Sequence, residues 1–141
     1  MRLGASIIVI LALAFSIPCI ASEAPSADCS IHEGACVKEL EGMRVIFDAT
    51  PKPVRSMSEL RFTVTVEGMK GAPEFLVLDL SMPGMTMGRN RVKLFKSGDG
   101  RYEGVGVIVK CPSGRTLWRA TVLSGDKTIA DFMFNVGNRP Q

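Results

Sequence analysis

A chain of 141 residues with 17 Lys plus Arg against 14 Asp plus Glu is close to neutral, and its basic residues are scattered rather than blocked. That balance carries no electrostatic footprint for nucleic acid as a partner. After the opening residues, no apolar run approaches the roughly 20 residues that a membrane span requires.

The opening residues read as an expected export signal. Arg2 supplies a positive n-region, and residues 7–15 are unbroken apolar. Pro18 ends that run, and Cys19-Ile20-Ala21 sets small residues two apart, as a signal peptidase requires. Cleavage after Ala21 leaves 120 residues beginning at Ser22, about the modal size of one domain. Arg2 is the one charged residue lost, so 16 basic and 14 acidic residues remain, a net charge of +2. The mature protein is expected in the periplasm or outside the cell. Retention as an N-terminal anchor is one alternative, although the run is short for a span. Lipidation at Cys19 is another, although Pro18 stands where that peptidase takes Gly, Ala or Ser.

Residues 22–36 read as a flexible N-terminal segment with cysteines, and residues 37–138 as the folded domain. Cys29, Cys36 and Cys111 remain after export. An oxidising compartment favours one disulfide and one spare thiol. A Cys29–Cys36 bridge closes a short loop. A bridge from either of them to Cys111 closes a longer one and constrains the unfolded chain more, by about 4 kcal/mol in the chain-entropy model. The longer bridge is the favoured expectation.

From residue 37 the chain is a series of short strands. Residues 43–48 form the first clear one, ending at Thr50-Pro51-Lys52-Pro53. Residues 60–67 alternate, with Leu60, Phe62, Val64 and Val66 on one face and Arg61, Thr63, Thr65 and Glu67 on the other. Residues 75–82 put Leu76, Leu78, Leu80 and Met82 together. Strands follow over 90–96, 102–110, 116–123 and 128–136, separated by Gly-containing turns such as Ser97-Gly98-Asp99-Gly100. Gly104 and Gly106 thin one face of their strand, and Trp118 is a natural core residue. No window has a helical period. About seven strands with regular turns predict an all-β, antiparallel two-sheet sandwich.

The most distinctive stretch is Leu80-Ser81-Met82-Pro83-Gly84-Met85-Thr86-Met87-Gly88. Gly100-Arg101-Tyr102 and then Trp118-Arg119-Ala120-Thr121-Val122 follow it. In that order these landmarks resemble the YtkA-like and FixH-like families of exported, immunoglobulin-like domains. The resemblance covers about residues 60–136. Two departures stand out: Cys111 sits where the family often has Met, and Gly114 lies two residues further from Trp118 than usual. The resemblance implies an immunoglobulin-like sandwich. It also implies an association with metal handling or the assembly of copper-containing cytochrome oxidases.

Two constellations carry chemistry. Met82, Met85 and Met87 cluster around a Pro-Gly turn, and thioether sulfur selects Cu(I); the same residues also suit packing at an open end of the sandwich. Cys29, His32 and Cys36 offer two thiols and the one imidazole within eight residues, a possible Zn or Cu set, with disulfide bonding as the competing use. His32 is then expected to be an exposed loop residue. Arg89, Arg91 and Lys93 make a small basic edge that suits a solvated face. No catalytic constellation is evident: a triad would have to use His32, and Gly-x-Ser-x-Gly is absent. The expectation is a non-catalytic envelope protein with copper as its candidate cofactor. An envelope or membrane protein partner is expected, and no small-molecule substrate is evident. A metal-free structural or interaction module is the alternative.

Overall fold

The computed structural model describes residues 21–137. Residues 1–20 of the expected export signal lie outside the described residues. Eight strands and no helix make up the described chain: β1 (Cys36–Leu40), β2 (Met43–Thr50), β3 (Glu59–Glu67), β4 (Phe75–Ser81), β5 (Arg91–Gly98), β6 (Arg101–Val107), β7 (Leu117–Ser124) and β8 (Lys127–Asn135). All neighbours are antiparallel, in the order β1-β2-β3-β6-β5-β4-β7-β8.

The count exceeds the expected seven because β1 pairs with β2 through a tight hairpin. Glu41 and Gly42 both take positive φ at its tip (35° and 82°), which matches the right-handed twist of the flanking strands. The sheet is also continuous where two separate sheets were expected. β5 bonds to β4 on one side and to β6 on the other. The hydrogen-bond ladder therefore runs unbroken across the whole order.

The sheet bends round until its two edges nearly meet. The Asp28 N–H donates to the Met133 carbonyl at 2.7 Å, and the Met133 N–H donates to the Asp28 carboxylate at 2.9 Å. Lys38 on β1 pairs with Asp28 at 2.8 Å and with Asp131 on β8 at 3.8 Å. These contacts cover the exposed backbone of β8, the kind of edge that otherwise invites pairing with another chain.

Alternation puts the core where the sequence places it. Leu60, Phe62, Val64 and Val66 of β3 are buried, as are Leu76, Leu78 and Leu80 of β4 and Met82 just beyond it. Phe47 of β2 packs against Phe62 beside it and against Phe132 and Phe134 of β8, with ring centroids 5.5 and 5.6 Å from the last two. Strands far apart in the sheet order therefore share one core. Gly104 and Gly106 face inward, where side chains of β5 and β3 fill the space. Buried Tyr102 donates its hydroxyl to the Pro73 carbonyl at 2.8 Å, tying the β3–β4 connection to the domain, and burial pushes its phenol pKa up.

The cysteine segment is part of this body. Ile31 is 0 % exposed and sits in the core. Cys29 and Cys36 form the disulfide, with Cα atoms 5.7 Å apart, and Cys111 is free and buried. The expected bridge to Cys111 is therefore corrected. Cys36 opens β1 beside Cys29, whereas Cys111 lies in the connection between β6 and β7.

Candidate metal site: a sulfur-lined cleft

Two loops meet at one end of the domain. The first joins β4 to β5 and is pinned at its base by the Leu80 N–H, which donates to the Asn90 carbonyl at 2.8 Å. Asn90 Nδ2 also donates to the Val107 carbonyl at 3.1 Å. Within this loop the Met85 N–H donates to the Met82 carbonyl at 3.2 Å, closing a turn around Pro83 and Gly84. Pro presets its own φ for the second position of such a turn, and Gly84 at φ 71° accepts the third. The turn therefore sends Met82 and Met85 back toward each other.

The second loop joins β6 to β7 and carries a hydrogen-bonded turn of its own. The Gly114 N–H donates to the Cys111 carbonyl at 3.1 Å, around Pro112 and Ser113. Each turn thus begins with a sulfur residue followed by proline. Between the loops lies a cleft of about 330 Å³, whose lining includes Met82, Met85, Met87, Cys111 and Trp118. Met82 is only 4 % exposed and continues the inward face of β4, while Met85 and Met87 are half-buried.

Cys111, 7 % exposed, is the sulfur that sequence reasoning assigned elsewhere. Its Sγ lies 3.6 Å from Met85 Sδ and 2.9 Å from Ser113 Oγ. The Ser113 hydroxyl is the main cause of a lowered thiol pKa. Burial opposes it, while the backbone N–H groups of Ser113 and Arg115 and the Arg115 charge reinforce it. Arg89 and Lys110 line the rim and keep their heads in water. No carboxylate is among the residues lining the cleft.

The other constellation is taken up by structure. The disulfide removes the Cys29 and Cys36 thiols as ligands. His32 is half-buried rather than an exposed loop residue. Its Nδ1 accepts from the Val54 N–H at 3.1 Å, and its Nε2 lies 2.9 Å from the Asn135 carbonyl. Both ring nitrogens thus join the β2–β3 connection to β8, which requires the neutral ring protonated at Nε2. Among the described residues, no group of three His, Cys, Asp or Glu side chains is placed to hold a metal ion. Arg91 of the basic edge pairs with Asp79 at 3.5 Å, and Lys93 lies over the Phe75 ring at 3.9 Å.

Among the described residues, the sulfur cleft gathers three thioethers and a free thiol. Compared with models of known families, with curated proteins and with solved structures, the chain finds no match in any of the three.

Proposed function

We propose that this chain is an exported, non-catalytic accessory domain that binds copper as Cu(I) and hands it on in the cell envelope, in oxidase assembly or related metal handling. The observation that carries the reading is the convergence of Met82, Met85 and Met87 on one cleft. The donor set fits the ion: thioether sulfur is neutral and soft, and it prefers Cu(I) over harder divalent cations. Bound Cu(I) adds a transferable soft ion; the chain's own part is to hold three sulfurs on a loop pinned at its base. Half-buried Met85 and Met87 leave the ion open to an incoming partner.

The strand order suits an immunoglobulin-like sandwich, the fold that the YtkA-like and FixH-like resemblance implies. β2-β3-β6-β5 corresponds to the ABED order of an immunoglobulin-type domain, and β4-β7-β8 to its CFG order. On that reading the fold is a two-sheet sandwich whose sheets are joined through the β4–β5 pairing.

The test is a Cu(I) titration of disulfide-oxidised protein against a chromophoric chelator, without oxygen. Replacing Met82, Met85 and Met87 together by Leu nearly conserves volume, so the fold should persist. One equivalent bound by wild type and lost in the triple variant is expected. Binding no tighter than micromolar, or undiminished in the variant, refutes the reading.

A metal-free interaction module is the second reading, favoured by the outer face of β4, β5 and β6. Phe95 is 58 % exposed there, opposite exposed Phe75, and exposed Val105 and Val107 share that face. Capture of one envelope protein by wild type but not by a Phe95→Asp variant, with no copper bound, would favour it.

A further inference from the structure

We infer that Cys111 is the anionic ligand of this site, its thiolate joining the thioethers of the methionine loop on a single Cu(I) ion. The inference rests on the copper reading above and adds a donor from a different loop.

Spacing supports it first. Sulfurs around one ion at metal–sulfur bonds near 2.3 Å stand about 3.8 Å from one another. Cys111 Sγ and Met85 Sδ are already 3.6 Å apart. The two turns hold them there, each closed by its own hydrogen bond.

Charge supports it second. The charged residues lining the cleft, Arg89 and Lys110, are both basic, and Arg115 lies beside Gly84. Three thioethers on Cu(I) would carry a net charge of +1 against that rim. One thiolate cancels it, because binding forms a Cu–S bond and releases the thiol proton to water. No electron moves in the step.

Redox chemistry supports it third. An exported chain that pairs Cys29 with Cys36 and keeps Cys111 as a thiol holds a free thiol in an oxidising compartment, shielded only by burial. Metal ligation would protect that sulfur.

The experiment uses disulfide-oxidised protein with one equivalent of Cu(I), without oxygen. Three readouts are followed: alkylation of Cys111 by a maleimide, near-ultraviolet thiolate-to-Cu(I) absorption, and competition with a chelator. Loading should slow alkylation at least tenfold and bring up the absorption. Loss of groups merely hydrogen-bonded to metal ligands already costs 10–100-fold in affinity, so Cys111→Ser should cost about 100-fold or more. Alkylation of loaded wild type at the metal-free rate, without the absorption, overturns the inference even if Cys111→Ser fails to fold. Cys111→Ser binding within twofold of wild type also overturns it.

The triple Met→Leu variant separates the two ideas. If it keeps both affinity and absorption, the thioether reading fails, and the joining of Cys111 to those thioethers fails with it. If it loses affinity while Cys111→Ser does not, only the Cys111 assignment fails. Binding no tighter than micromolar by wild type ends both.

Discussion

Reducing the Cys29–Cys36 disulfide should destabilise the domain by an amount set by the loop it closes. The bridge spans a sequence separation of 7. In the chain-entropy model so short a loop removes about 2.5 kcal/mol of unfolded-state freedom, against about 4 kcal/mol for a bridge to Cys111. A domain of this size unfolds with an entropy near 0.24 kcal/mol/K, so the midpoint should fall by about 10 °C. Thermal unfolding followed by circular dichroism, with and without reductant, measures this. Cys111→Ser should leave the reductant-dependent shift unchanged, because Cys111 lies outside the bridge. A shift below about 2 °C, or one that disappears in Cys111→Ser, would refute the pairing and the reasoning behind it.

Gly104→Ala would place a Cβ against the Lys93 carbonyl oxygen and 2.9 Å from Leu94 Cδ2. It should cost about 1–3 kcal/mol of overpacking, and an unchanged melting midpoint would contradict that packing. His32→Ala removes the acceptor for the Val54 N–H and should cost about 1–3 kcal/mol by denaturant unfolding, while leaving Cu(I) affinity unaltered; an affinity loss would make His32 a ligand. Burial alone would raise the Asp28 carboxyl pKa, but the Lys38 hydrogen bond, the Met133 N–H and the Lys38 charge together hold it below its ordinary value. Its contribution to stability is therefore full above the unfolded value of about 4 and fades as pH falls through the lower folded value. Asp28→Asn should flatten the acid limb of a stability–pH curve, and an unaltered limb would remove Asp28 from the edge-closing role.

Strand positions and faces were legible because burial on one side imposes a period of two on β3 and β4. Met82 was correctly placed on the inward face for the same reason. β1 escaped notice because Cys36–Leu40 is short and interrupted by Lys38 and Glu39, whose place is settled by partners on β2 and at the closing edge. The disulfide and the role of His32 depend on tertiary neighbours. Val54 and Asn135 lie 22 and 103 residues from that ring, and no spacing rule reaches so far. Cys111 and Met85 are 26 residues apart and meet only because both loops close the same end of the domain. One signal was available: Met-Pro-Gly-Met and Cys-Pro-Ser-Gly are two turn sequences, each led by a sulfur residue. Reading them as a pair would have brought Cys111 to the methionines.

X-ray absorption at the copper edge of the Cu(I)-loaded, disulfide-oxidised protein tests the central claim most directly. A first coordination shell made only of sulfur is expected, and it should fall apart when Met82, Met85 and Met87 become Leu. A shell dominated by nitrogen or oxygen, or copper lost on desalting, would contradict the sulfur cleft as a copper site.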